Sequence, residues 1–180
     1  MTSMKSSAQQ ASDKSKKAAP ALYKTASKKE KLPEAFVSVL LAPSKRSHTS
    51  IFNLVSKGLW DQTTQVREGL PAVYVAEMSD ALAMPRASYL DNLHLPRSTI
   101  EARIKNKTPL TSSEGSAVLR SAKALARAEQ IFEDRAAAAT WFKREIRALG
   151  GVTPVSLMDT DSGFELVMKT LGRIEQGVVA

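Results

Sequence analysis

Downstream of residue 110 the chain carries both the faces and the ends of helices, a combination that leaves little room for any other kind of element. Thr111-Ser112-Ser113-Glu114 has the form of a capping box. In it the threonine hydroxyl accepts from the backbone N–H three residues on, and the glutamate reaches back to the threonine N–H. Behind it, Val118, Ala122, Leu125 and Phe132 line one face of a long helix. The Ala-rich stretch 135–149 predicts another, with Trp141, Phe142 and Ile146 as its apolar positions. Gly150-Gly151 ends it, because glycine enters the left-handed conformation without steric cost. Thr153-Pro154 then starts a short helix as N-cap and first residue. Asp159-Thr160-Asp161 makes the next turn and puts negative charge at a helix N-terminus, where the dipole favours it. The last helix, 161–176, carries Phe164, Val167, Met168, Leu171 and Ile174 at spacings of three or four, and Gly177 stops it.

Upstream the same periodicity is present with weaker punctuation. Phe36, Val37, Leu40 and Leu41 predict one helix, and Ile51, Phe52, Leu54, Val55 and Leu59 a second short one. Pro71 opens a third that carries Val73, Val75, Met78, Leu82 and Met84. Val73-Tyr74-Val75 has β-branched character, but no neighbouring strand pattern supports a sheet. Residues 1–32 hold eight lysines against Asp13 and Glu30 and almost no large apolar side chain. Such a segment cannot bury enough surface to offset its ordering entropy, so it is expected to be disordered. It serves either as a solubilising tail or as a nonspecific nucleic-acid contact. The expected architecture is all-α in three segments: a disordered basic tail over 1–32, a helical N-terminal domain over 33–124 and a C-terminal helical domain over 125–180.

Composition removes several function classes. The 180 residues include no cysteine, so disulfides, thiolate metal sites and cysteine nucleophiles are absent, which fits a reducing cytoplasm. His48 and His94 are the only histidines and lie in separate predicted segments. No H-x-x-x-H, phosphate-binding G-x-x-x-x-G-K or G-x-S-x-G pattern occurs. The acidic residues are scattered over helix starts and faces. No catalytic residue, metal or cofactor is expected, and the chain reads as a binding protein rather than an enzyme. No apolar run approaches the ~20 residues that cross a bilayer, and the N-terminus lacks the apolar segment of a secretory signal.

The net charge of +8 is unevenly distributed. Residues 85–107 hold five basic side chains against Asp91 and Glu101, a possible phosphate footprint. Residues 86–94 predict a short helix with Ala87, Leu90 and Leu93 on one side. A break at His94-Leu95-Pro96 follows, then a second helix, Arg97 to Lys105, with Ile100 and Ile104 facing inward together. That leaves Arg97, Ser98, Thr99, Arg103 and Lys105 outside, where a helix in a major groove needs arginine and hydroxyl groups. The spacing over about 86–106 resembles the Xre/Cro-like helix-turn-helix. His94 stands where a turn glycine is common in that motif, and Pro96 where a serine N-cap is common. An ordinary helix pair in a bundle, with its charges solvated, fits the same pattern.

The C-terminal end also admits two readings. Helix 161–176 is either a last core element or a docking element that leads to Val178-Val179-Ala180, an apolar tip preceded by the mixed polar set Arg173, Glu175 and Gln176. A resemblance favours docking. Leu149-Gly150-Gly151-Val152-Thr153-Pro154-Val155-Ser156-Leu157-Met158-Asp159-Thr160, then Gly163, then Leu171-Gly172-Arg173-Ile174-Glu175-Gln176-Gly177-Val178-Val179-Ala180, resembles the toxin-binding domain of Xre/MbcA/ParS antitoxins. The resemblance covers roughly residues 70–180 and departs from the pattern at Val179, where an aromatic is frequent.

What the resemblance implies is specific. Such antitoxins pair with RES-domain toxins that degrade NAD. They cover the toxin's active-site entrance with their C-terminal region and repress their own operon by binding operator DNA. Carried onto this chain, the toxin-binding residues are Lys169, Gly172, Arg173, Glu175, Gln176, Gly177, Val178, Val179 and Ala180. The DNA-binding residues are Arg97, Ser98, Thr99, Arg103 and Lys105. A homodimer is expected, because paired reading heads match two-fold operators. Glu175 and the terminal carboxylate are expected to pair with cationic groups in the toxin cleft. The competing reading is a stand-alone helix-turn-helix regulator with no toxin partner, and a third is a helical adaptor.

Overall fold

The computed structural model describes residues 50–178. The expected helix around Phe36–Leu41, the expected disordered tail and the last two residues of the tip lie outside the described residues. Within them the chain is all-α, as expected, with two isolated antiparallel bridges and no strand.

The N-terminal helices are shorter than their apolar patterns. Helix α1 is Ile51–Val55 and α2 is Leu59–Glu68, where the sequence predicted one helix through Leu59. The break at Ser56–Gly58 is held by a buried side chain: Gln62 Nε2 donates to the carbonyls of Val55 (3.0 Å) and Lys57 (2.8 Å), which α1 leaves without helical partners. Helix α3, Val73–Ala81, ends three residues short of the predicted Met84, because Ala83 takes a left-handed φ of 46° and turns the chain. Pro71 does not open that helix. It pairs with Pro109 in a bridge, and Leu110 N donates to Leu70 O at 2.8 Å, tying together the two linkers on either side of the basic helix pair.

The pair itself is α4, Arg86–Asn92, and α5, Arg97–Asn106. Between them His94 has φ 52°, the left-handed value that makes glycine common at such turns. Leu95 N donates to Leu90 O at 2.9 Å and His94 N to Asp91 O at 3.0 Å, the pairing that closes a helix C-terminus around a left-handed residue. Leu90 and Leu93 are buried as expected, but Ala87 is exposed and the inward position is taken by Tyr89, which is fully buried.

Helix α6, Ser112–Phe132, is the axis of the fold and packs against α1, α2, α3 and both C-terminal helices. Its capping box is present in full: Glu114 N donates to Thr111 Oγ1 (3.3 Å) and Thr111 N to Glu114 Oε2 (2.7 Å). Val118, Ala122 and Leu125 are buried, in a core that runs without interruption from Ile51 to Leu171. The boundary at 124/125 named above falls inside this helix.

Beyond α6 the chain turns at Glu133 into α7, Arg135–Lys143, which Asp134 caps by accepting from Ala137 N at 2.6 Å. The helix predicted over 135–149 stops here. Ile146 is extended and pairs with Val152, its N–H donating to Val152 O at 3.1 Å, around a 3-10 turn at Arg147–Leu149 and the glycine pair. A periodicity of 3.6 cannot distinguish this from helix, because Ile146 is buried either way. A 3-10 helix, Pro154–Asp159, starts with proline as expected, and leads to α8, Asp161–Glu175. Thr160 caps α8 by accepting from Gly163 N at 3.1 Å. No helix among the described residues is long and apolar enough to cross a membrane.

Candidate functional site

Two surfaces hold the residues singled out from sequence, and they are built differently. On the helix pair, Ser98, Thr99 and Lys105 are exposed. Arg97 is exposed too, but Asp91 occupies its guanidinium in a bidentate pair, with Nε donating to Asp91 Oδ1 at 2.5 Å. That hydrogen bond holds the Asp91 carboxyl below its ordinary pKa and raises the Arg97 guanidinium above its own. Arg86 pairs with Glu101 at 3.1 Å across the two helices. Arg103 is drawn inward: its side chain is 27% exposed, Nη1 donates to Pro109 O at 3.0 Å, and Nε lies 3.3 Å from Oε2 of the buried Glu114. The glutamate of the capping box therefore also anchors α5 to α6. Beneath the pair, burial raises the pKa of the Tyr89 hydroxyl, whose oxygen finds no hydrogen-bond partner among the described residues.

The second surface is the outer face of α8. Gly163, Val167, Thr170 and Leu171 face the core and are buried. On the opposite side Glu165, Lys169 and Gln176 are exposed, with Gly172 among them and Arg173 and Leu166 along one flank. Leu166 is 42% exposed, an apolar side chain on a polar face. It escaped the sequence reading, although its place on the flank of the face formed by Val167, Leu171 and Ile174 was legible on the helical wheel. Lys169 lies 3.9 Å from Glu165, a loose exposed pair. Arg173 has no ion-pair partner among the described residues. Glu175, in contrast, accepts from Arg127 of α6 at 2.5 Å, so its charge is used within the chain.

Both ends of α8 are fixed. At its start, the Arg120 guanidinium donates to the carbonyls of Met158 (2.8 Å) and Asp159 (2.6 Å) and to Asp161 Oδ1 (2.9 Å). Gly163 has no room for a side chain, since a Cβ there would stand 2.2 Å from Leu157 O. At its end, Gly177 N donates to Ile174 O (3.0 Å) and Val178 N to Arg173 O (2.9 Å), around the positive φ of Gly177. This Schellman turn aims the chain off the helix, with Val178 exposed. Gly172 differs from both glycines. Its backbone is helical, a Cβ there would meet nothing within 4 Å, and an interior helix glycine costs about 1 kcal/mol relative to alanine.

A groove of about 420 Å³ runs between α2, the N-terminal half of α6 and the start of α8, with Leu59, Val66 and Leu119 in its walls and Arg67 and Lys123 among its polar groups. Beside it Leu59 and Trp60 are 72% and 78% exposed; the sequence placed Leu59 on the apolar face of a short helix and did not single out Trp60. Among the described residues no group of His, Asp and Glu could hold a metal ion.

Comparison with known proteins places α8 within a matched domain. Residues 127–177 match the antitoxin Xre/MbcA/ParS C-terminal toxin-binding domain, a stretch that contains the whole of α8. An antitoxin Xre of Photorhabdus laumondii is 34% identical over 116 residues, covering 64% of this chain and 78% of that protein. A Prs ADP-ribosylating antitoxin of a Sphingobium species is 26% identical, covering 67% of this chain and 81% of its own length. An antitoxin Xre of Pseudomonas putida is 26% identical, covering 63% and 70%. With a matched toxin-binding domain and a relative of this identity and coverage, the chain belongs to the Xre/MbcA/ParS antitoxins of toxin–antitoxin systems.

Proposed function

We propose that this antitoxin neutralises a RES-domain, NAD-degrading toxin by docking the outer face of α8 on it and leading residues 177–180 into the entrance of its active site. The observation that carries this reading is the contrast between the two sides of one helix. The inner side and both ends of α8 are fixed by the core, Arg120 and the Schellman turn. The outer side leaves Leu166, Lys169, Gly172, Arg173 and Gln176 available. A rigid helix ending in a short tip loses little conformational entropy on binding. The antitoxin itself binds no NAD and catalyses nothing; it prevents NAD from reaching the toxin.

Glu175 supports α8 through Arg127 rather than contacting the toxin first. In this proposal the tip Val178, Val179 and Ala180 fills the cleft. Deleting residues 177–180 then releases toxin activity while leaving DNA binding within about twofold; full neutralisation by the truncated protein overturns the proposal.

The same proposal assigns operator binding to α4 and α5, within the segment 33–124, and toxin binding to 125–180. Ser98, Thr99 and Lys105 are placed to face DNA directly, and Arg97 joins them when it exchanges Asp91 for a phosphate. Two copies read a two-fold operator, and the exposed Leu59–Trp60 pair is the apolar surface offered for pairing them. Sedimentation of a Trp60→Glu variant tests this: a dimer that persists excludes that face.

A second reading of the toxin's chemistry comes from the Sphingobium relative, whose name couples the antitoxin to ADP-ribosylation of Prs. In that reading the toxin transfers ADP-ribose to a protein instead of releasing it. Incubating the toxin with labelled NAD separates the two, through free ADP-ribose in one case and protein-bound label in the other.

A further inference from the structure

Gly172 has no explanation within the chain. It lies in the interior of α8, three residues before the last, with helical backbone and an amide ladder that continues through it, Gln176 N donating to Gly172 O at 3.2 Å. It needs no left-handed conformation, unlike Gly177, and it shields no close contact, unlike Gly163. A methyl group would enter open space and would strengthen the helix. The chain nevertheless leaves the backbone bare near the middle of the outer face. By helical geometry Lys169 and Gln176 stand one turn away on either side and Met168 alongside.

We propose that Gly172 is the point where the toxin approaches α8 most closely: a notch through which an apolar element of the toxin bears on the helix backbone. The inference deepens the docking reading above and rests on it. The flanks indicate the chemistry of that element. The half-buried Met168, one turn back, offers apolar contact beside the notch, and Arg173, which has no ion-pair partner among the described residues, together with Lys169 calls for acidic groups at the edge of the toxin's element. Two surfaces that meet at a glycine approach more closely than the 8–10 Å typical of packed helices, so added side-chain volume there acts directly on the fit.

The test uses the full chain and its cognate toxin, which the proposed function takes to be a RES-domain protein, purified with an inactivating substitution in its active site. Gly172→Ala is expected to raise the melting temperature by about 2–4 °C, as helix propensity requires for a domain of this size. It is expected to weaken toxin binding by about tenfold or more, and Gly172→Leu by about a hundredfold or more, without lowering the melting temperature. Stability and affinity thus move in opposite directions, which a structural role for the glycine does not produce. If Gly172→Leu binds the toxin within twofold of the native chain, or if both variants melt below it, the notch is refuted. The double variant Lys169→Glu/Arg173→Glu separates the two levels of the argument. Loss of binding there with normal binding by Gly172→Leu leaves the docking face standing and removes the notch. Normal binding by both sets of variants removes the docking face itself.

Discussion

The helix pair α4–α5 and the terminal helix α8 both present basic side chains on polar faces, and the structure treats them in opposite ways. In the pair, three arginines are matched inside the chain: Arg86 with Glu101, Arg97 with Asp91 and Arg103 with Glu114. On α8 the only acid near Lys169 is a loosely placed Glu165, and Arg173 has none among the described residues. An arginine engaged by a carboxylate must give up that partner before it can hold a phosphate or a toxin. A free arginine on a fixed helix has nothing to give up. Lys105 apart, the basic side chains of α4 and α5 are therefore already engaged, and α8 lies within the matched toxin-binding domain.

The sharpest way to break this comparison is to unseat α8. Gly163→Ala places a Cβ against the Leu157 carbonyl, and because backbone cannot yield as a side-chain end does, a loss of about 3 kcal/mol or more is expected in urea denaturation. A loss under ~1 kcal/mol would mean that the junction is soft and that α8 is not fixed at its start. Next comes the exchange of Arg103 and Arg173. Arg103→Ala strips the largely buried Glu114 of its cation and should cost about 1–3 kcal/mol of stability. Arg173→Ala should change stability by less than about 0.5 kcal/mol while weakening toxin binding. Equal stability losses in the two variants would erase the contrast.

A smaller effect is expected at Asp91. Replacing it with asparagine releases Arg97, so DNA affinity should rise several-fold and the dependence of log affinity on log salt should steepen by about one unit. An unchanged slope would show that Arg97 never reaches a phosphate. The smallest effect is the pH dependence of the same pair. The Asp91 carboxyl titrates below its unfolded value, so its contribution is present above the ordinary carboxylate range and is lost as pH falls through the lowered value. Both groups are exposed, so the melting temperatures of the native chain and Asp91→Asn should differ only slightly at neutral pH and converge in acid.

How legible each region was depends on what kind of interaction defines it. The capping box, the inward Ile100, the proline start of the 3-10 helix and the stop at Gly177 were all legible, because each rests on contacts within a few residues of chain. The end of α7 was not. Ile146 continues an apolar period whether the chain is helical or extended, and only its pairing with Val152 decides. Arg103 was read as outward because its neighbours in sequence leave it there. The carboxylate that draws it in belongs to the next helix. Leu166 is the reverse case, visible on the helical wheel yet meaningful only once both ends of α8 are seen to be fixed.

The sequence by itself determined that this chain is helical, where its C-terminal helix begins and ends, and, through the ordered glycines, Thr-Pro and Leu-Gly-Arg-Ile-Glu, which family it resembles. Helix caps, turn glycines and apolar periods are local, and local contacts are written in consecutive residues. Which charges remain free was decided only by the tertiary structure. An ion pair depends on what another element brings within about 4 Å: α6 brings Glu114 to Arg103 and Arg127 to Glu175, and nothing among the described residues comes to Arg173.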